Sequence, residues 1–381
     1  MKRLLGRMDK PLLLLTIIMF IFGSVMILSI SSIKAAVIGN PYIYFIKHMS
    51  VLLLGFIAFI IIVNIPLKSY KRILPLAVYL IIFALFFVYS YGVAVHSAKR
   101  WIDMGIFAFQ PSEFAKTILI LYMGNYYLQH YRSKKAIVLF KPLLLGLIIF
   151  VLTFLQPDLG TASIILGIIV FIFLSLPLEK NFKRRTIQIG ILGLVILVLT
   201  FAFNRDFLLR EGQLERFVYK NPCQRYTEKT GYQVCNGFIA INNGGLLGVG
   251  LGNSTQKYLY LPAAHTDFIF PVIVEELGLV TGLIILFIYL YILYRILLIA
   301  NRSYNLMGGI IAYGVAIYLF LHISVNLIGV LGLFLLTGAP IPFLSYGGSY
   351  VLNLIISLAF VQRVETENNI YLKKRIIKQG L

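Results

Sequence analysis

The residue pattern predicts an all-α polytopic membrane protein with ten transmembrane helices and both termini cytoplasmic. Sixty per cent of the 381 residues are apolar and only 13% are charged. Mean hydropathy is +0.90. Apolar runs near the ~20 residues that cross a bilayer recur along the chain. They place spans at about 11–31, 49–66, 73–92, 114–130, 138–157, 160–178, 187–204, 269–294, 308–336 and 344–362.

The first run follows MKRLLGRMDK and imitates a secretory signal. Its apolar part is longer than a signal core and no small-x-small site follows, so it reads as a retained helix. The second and third runs are uninterrupted. The fourth is short and polar. A Pro157–Gly160 turn divides the fifth from the sixth, and a basic run at 180–185 precedes the seventh. The eighth starts after His265, Thr266 and Asp267. The ninth and tenth are ragged, with Gly and Pro between them.

Lysine and arginine placement sets the orientation. With the N-terminus inside, 22 of the 34 basic residues fall on inner segments, and seven more lie in the one long outer loop, about 205–268. The tail, 363–381, is short and basic and is expected to lie along the inner surface. The net charge of +20 then reflects membrane orientation and anionic lipid, not nucleic acid. Ten of the 14 acids lie outside or on outer helix ends. Solvation of the long loop accounts for Asp206, Glu211, Glu215 and Glu228. Chemistry at the outer face would account for others. The long loop begins NRDFLLREGQLERF, a candidate amphipathic helix, and carries Cys223 and Cys235, a candidate disulfide in an oxidising space.

Polar residues gather at outer helix ends. Lys99 and Arg100 break the inside rule, as anion-binding residues would. Trp101, the only tryptophan, also suits an interface anchor. Ser112 and Glu113 can cap a helix, and Glu113 and Lys116 are spaced for a salt bridge. Asp158 reads equally as a cap and as a site residue. The glycine-dense run 244–252 can offer backbone N–H groups to phosphate, yet it lacks a nucleotide-binding fingerprint and reads better as a close-packed re-entrant loop. The irregular segment 337–349 needs burial in protein or a wet cavity at membrane depth. His322 and Asn326 lie in the span before it. Asp267 is a helix cap or a site residue. A straight helix puts Glu276 about 13 Å deeper, too far to form a glycosidase pair with Asp267. Glu275 and Glu276 are therefore expected to be structural, one of them pairing with a cation.

The motifs RWI…QPSEFAK, QPDLGTA, GGLLGVGLG…LP..HTDFIF…EELG and TG.PIPFLSYGGS occur in this order. They resemble the SEDS family of shape, elongation, division and sporulation proteins, with the short N-terminal segment more similar to RodA than to FtsW. The resemblance implies an inverting peptidoglycan glycosyltransferase that polymerises lipid II on the outer face of the bacterial inner membrane, during cell elongation and rod-shape maintenance. It puts the catalytic aspartate at Asp267. It puts substrate-binding positions at Arg100, Trp101, Glu113, Lys116, His265, Thr266, Ser345 and Ser349, with Asp158 as a candidate ligand for a divalent cation, Mg or Mn. It also implies a class B penicillin-binding protein transpeptidase and other elongation-complex proteins as partners. The chain departs from the family pattern at Ala263, where an acid is common, and at Val234-Cys235-Asn236, and its cysteine pair is not general to the family. A lipid II flippase using Glu276 and a non-catalytic scaffold are the alternative classes.

Overall fold

The computed structural model describes residues 6–37, 39–95, 98–103, 108–203, 220–258 and 260–379. Eleven α-helices form among them: α1 (Lys10–Val37), α2 (Ile43–Asn64), α3 (Ile73–Tyr91), α4 (Pro111–His130), α5 (Ala136–Leu155), α6 (Leu159–Ser175), α7 (Lys180–Phe203), α8 (Lys229–Gly244), α9 (Ile269–Asn301), α10 (Leu306–Val330) and α11 (Gly348–Gln379). Each of the ten expected spans falls on one of the helices other than α8. Six of the described helical segments are long and apolar enough to cross a membrane: Lys10–Ser32, Ile43–Asn64, Leu67–Tyr91, Ala136–Leu155, Ile269–Asn301 and Leu306–Val330. Their outer faces expose Leu53, Phe56, Phe83, Phe287 and Leu290. Such broad apolar surface suits lipid and would be a liability in water.

The polar fourth span has a packing explanation. Helix α4 sits among α3, α5, α6, α10 and α11. It buries Ser112, Glu113, Lys116, Thr117 and Asn125. A helix enclosed by protein needs no apolar face toward lipid, so its composition follows its partners. Pro111 stands at its first turn, where the missing N–H is unused.

Three short strands, β1 (Val93–Val95), β2 (Ala98–Asp103) and β3 (Ala108–Phe109), form an antiparallel sheet between α3 and α4. Trp101 pairs with Val93 and Ile102 with Phe109. This sheet was not expected from hydropathy, because its two- to six-residue strands are too short to leave a periodic signal.

The chain end corrects the expectation of a separate surface tail. Helix α11 runs without a break from Gly348 to Gln379. Arg363 pairs with Glu367 at 2.9 Å, one helical turn on. Arg363 also donates to the Val63 carbonyl (2.9 Å), and Glu367 accepts from the Leu67 N–H (2.8 Å). Asn369 donates to the Arg7 carbonyl at 2.8 Å. These long-range bonds hold the first part of 363–379 upright against the bundle. The ninth span also ends earlier than expected, at Val330. Gly332 then turns the chain with φ +62°, a conformation that favours glycine.

The long loop contains α8, pinned to the preceding turn by a Cys223–Cys235 disulfide. The expected amphipathic helix at 204–217, with Asp206, Glu211 and Glu215, lies outside the described residues. The glycine run does not offer its N–H groups to a phosphate. Val249 and Gly250 donate instead to the carbonyls of Glu275 and Glu276 (3.0 and 2.9 Å), and Leu279 donates to the Gly245 carbonyl (2.9 Å). The run thereby clasps α9 where Gly278 breaks its helical geometry with φ 84° and ψ 166°.

Candidate active site

Asp267 lies one residue before the N-cap of α9, which is Phe268. Its carboxylate is half-buried and accepts a 2.6 Å hydrogen bond from the Thr266 hydroxyl. Its backbone carbonyl accepts from Asn326 Nδ2 at 2.8 Å, and the same amide donates to the Ala339 carbonyl at 2.7 Å. Asn326 thus fastens the Asp267 turn to the segment 331–347 between α10 and α11.

Further bonds repeat that fastening. Ser345 Oγ donates to the Thr266 carbonyl (2.7 Å) and accepts from the Ile341 N–H (2.8 Å). Tyr346 N–H donates to the His265 carbonyl at 2.9 Å. The His265 ring packs near Tyr44 and Tyr346, with centroids 5.1 and 5.8 Å away. The irregular backbone of 337–349 is therefore tolerated as expected for a segment buried in protein: its polar groups are spent on residues 265–267.

The second cluster surrounds Asp158, the N-cap of α6. Asp158 Oδ1 accepts from the Thr161 N–H at 3.2 Å, and Oδ2 accepts from Gln110 Nε2 at 3.1 Å. Cap and cluster member, left open by the sequence, are both true of this residue. Arg100 lies 3.7 Å from Asp158 with its side chain about one-fifth exposed. It also donates to the carbonyls of Gln156 (3.2 Å) and Pro157. Ser349 accepts from the Gln110 N–H and donates to the Ala108 carbonyl, both at 3.0 Å, and so ties the sheet to α11. Trp101 is half-buried on β2 beside Arg100.

The two clusters meet through small residues. A Cβ at Gly160 would lie 3.1 Å from the Thr337 Cβ, and one at Gly338 would lie 3.3 Å from Asp267 Oδ2. Gly160 follows Asp158 by two positions. The α6 N-terminus, Thr337–Gly338 and Asp267 therefore form one contiguous surface, with a carboxylate at one side and a partly open guanidinium at the other.

Glu113 and Lys116 need a correction. Their ion pair exists at 2.8 Å, but both side chains are buried, Lys116 completely. Lys116 Nζ also lies 2.9 Å from His322 Nε2, and His322 Nδ1 lies 3.1 Å from the Pro340 carbonyl. A carbonyl only accepts, so Nδ1 carries the proton and Nε2 receives the lysine's. Lys116 is thus committed to the interior and does not face a diphosphate. It supports the 337–349 segment from below.

The donor set at Asp158 does not fit a divalent cation. Divalent ions take several oxygen ligands, whereas this single carboxylate already accepts two hydrogen bonds and faces an arginine. Among the described residues, no group of three or more His, Cys, Asp or Glu is placed to hold a metal.

Glu275 and Glu276 are buried and fully engaged. Glu275 accepts from Asn243 Nδ2 (3.2 Å), Thr255 Oγ1 (2.9 Å), Ser254 Oγ and the backbone N–H groups of Thr255 and Gln256. Glu276 pairs with Lys257 at 2.7 Å and accepts from Ser29 Oγ. The cation expected near these acids is therefore Lys257. In the sequence Lys257 is one charge in the long loop, with no signal for this role. Gln110 was likewise quoted in a motif without a role. Ser29 had no signal at all, being one serine in an apolar run.

Comparison with known proteins shows the family and the fold. A family model described as cell cycle protein, covering FtsW, RodA and SpoVE, matches residues 10–370. A Bacillus subtilis protein named probable peptidoglycan glycosyltransferase FtsW is 33% identical over 376 residues, 96% of this chain and 92% of its own. A Wigglesworthia glossinidia brevipalpis protein of the same name is 31% identical, covering 97% of each. Among solved structures, Thermus thermophilus rod shape determining protein RodA shares the fold with TM-score 0.69, 22% identity and coverage of 95% and 97%. A chain from a structure described as "Structural coordination of polymerization and crosslinking by a peptidoglycan synthase complex" has TM-score 0.75 and 23% identity, with 95% and 98% covered. The chain belongs to the FtsW, RodA and SpoVE family of cell cycle proteins, the SEDS family.

Proposed function

We propose that this SEDS protein is a peptidoglycan glycosyltransferase that polymerises lipid II with Asp267 as general base. The glycosyltransferase class rests on relatives of that name at 31–34% identity over nearly the whole chain. One observation carries the choice of residue: Asp267 is a half-buried carboxylate whose turn is pinned on both sides, by Asn326 and by Ser345. Pre-organisation of this kind is what a positioned base requires.

In the reaction, the acceptor sugar's 4-hydroxyl oxygen bonds to the donor's anomeric carbon. Its proton passes to Asp267. The bond from that carbon to the lipid diphosphate breaks, and its electron pair leaves with the diphosphate. Attack from the opposite face inverts the anomeric centre. The diphosphate is already a good leaving group and needs charge neutralisation more than a proton. Arg100, partly open beside the Asp267 surface, supplies it. Thr266 and Trp101 flank this surface, and His265, Ser345 and Ser349 brace it from within. No step is routed through a divalent cation.

The purified chain with a class B penicillin-binding protein and labelled lipid II in detergent tests this reading. Glycan product is expected, and Asp267→Asn should lower its rate by about 10²–10⁴-fold. Near-normal synthesis by that variant would overturn the assignment. Detergent removes vectorial transport, so product there also excludes a pure flippase. The flippase reading needs Glu276 as a moving intramembrane charge, and its buried pairing with Lys257 argues against that. The transpeptidase partnership, the inner membrane and an outward-facing site belong to this proposal. Elongation, expected from the resemblance, and division, the role of the FtsW relatives, are separated by complementation: rod shape or septation should be restored in a strain lacking the corresponding protein.

A further inference from the structure

A cavity of about 500 Å³ opens at the end of the bundle opposite Asp267. Its wall includes Asn125 and Gln129 of α4. Thirteen residues separate Gln129 from Lys116, roughly 20 Å along the helix axis. The cavity is therefore distinct from the site described above.

Its lining combines basic, polar and apolar side chains. Lys68, Lys71 and Lys374 line it together with Leu128, Met307 and Tyr371. The one acid in the wall, Glu367, is spent internally: it accepts from Arg363, from the Leu67 N–H (2.8 Å) and from the Tyr304 hydroxyl (3.0 Å). Among the described residues none of the three lysines takes part in a salt bridge, and no acidic residue lies between Asp9 and Asp103 to neutralise Lys68 or Lys71 locally. Tyr304 and Tyr371 stack on each other at 5.0 Å, leaving no aromatic slot for a nucleobase. The volume suits a small polar group with short apolar extensions.

We propose that this cavity binds the phosphate-bearing headgroup of an anionic phospholipid, with Lys68, Lys71 and Lys374 as its cationic ligands and Leu128, Met307 and Tyr371 against the first acyl carbons. Basic pockets between transmembrane helices at the cytoplasmic surface are suited to such headgroups. The end in question is the one that charge asymmetry places inside. The inference does not depend on the glycosyltransferase reading, since its readout is binding alone.

The test titrates the purified full chain in neutral detergent with dioctanoyl phosphatidylglycerol, dioctanoyl phosphatidylcholine and inorganic phosphate, counting bound molecules by native mass spectrometry. The anionic lipid should bind at least about tenfold more tightly than the zwitterionic lipid or phosphate. Lys68→Gln/Lys71→Gln/Lys374→Gln should weaken it on the order of a hundredfold. Lys134→Gln/Lys135→Gln/Lys180→Gln, which removes equal charge elsewhere on the same end, should leave it within about twofold. All three cavity lysines are exposed, so folding should persist; if the triple variant fails to fold, Lys71→Glu alone should still weaken binding at least about tenfold. Equal loss from both triple variants, or phosphate binding as tightly as the lipid, would overturn the proposal.

Discussion

At Asp267, the residue proposed as general base, hydrogen bonding orients the carboxylate. The Thr266 hydroxyl 2.6 Å away holds the carboxylate. Thr266→Val should therefore lower the polymerisation rate about tenfold without changing thermal stability, while Thr266→Ser, which keeps the hydroxyl, should stay within about twofold; steady-state kinetics with labelled lipid II checks both. Gly338 matters for a different reason. Its φ is +72° and a Cβ there would press on Asp267 Oδ2 at 3.3 Å. Gly338→Ala should displace the carboxylate and reduce activity at least about tenfold, with a backbone penalty of about 1–3 kcal/mol. Much of this scale was legible in the residues. Asp267 and Asp158 stand at helix ends where hydropathy changes, Arg100 breaks the charge rule between two spans, and the Glu113–Lys116 spacing announces its own ion pair. The burial of that pair was not legible, because spacing on one helix says nothing about what covers it.

Helix α9 shows how an element accommodates charge. Its first two turns carry Glu275 and Glu276, and it then breaks at Gly278. A Cβ at Gly278 would lie 2.2 Å from the Leu246 carbonyl oxygen, and one at Gly248 would lie 2.3 Å from that of Glu276. Only glycine on both sides lets the loop and the helix approach this closely. Gly278→Ala should destabilise the protein by at least about 1–3 kcal/mol, read as a lower unfolding midpoint in detergent with stronger proteolysis of the 245–257 loop. Lys257 closes the same joint. Lys257→Met would strand Glu276 in the interior at a cost of about 3–5 kcal/mol, whereas Lys257→Met/Glu276→Leu should recover most of it. The glycine run was legible as close-packed, but its partner was not, since glycine spacing records proximity without naming what comes near.

Across the whole molecule, polar groups divide between two ends joined by a buried column on α4. The Lys116–His322–Pro340 chain lies in the middle of that column and links α4, α10 and the 337–349 segment. Lys116→Met leaves Glu113 unpaired where water does not reach, so it should cost about 3–5 kcal/mol. Because five helices meet at α4, the loss should appear as a lower midpoint of the global transition, not as local loosening. If the variant instead kept its midpoint and lost only activity, Lys116 would have to reach substrate. At this scale the membrane character, the helix positions and the motif order were readable from hydropathy. The upright continuation of α11 was not, because 363–379 is polar and its anchors, Val63, Leu67 and Arg7, are some 300 residues or more distant.

Hydropathy and basic-residue placement respond to the solvent each residue meets, lipid or water, and that is a local property written along the chain. They were enough to predict a helical polytopic membrane protein, with its orientation and site positions as expectations. Pairings inside the bundle depend on which helices pack together. Ser29 with Glu276, Lys116 with His322 and Ser345 with Thr266 join positions 247, 206 and 79 residues apart. No periodicity encodes such distances. The fold therefore settled that Asp267 stands at an open, pinned turn while Lys116, Glu275 and Glu276 are committed to the interior: an ionisable group in a low-dielectric core must find its partner in three dimensions.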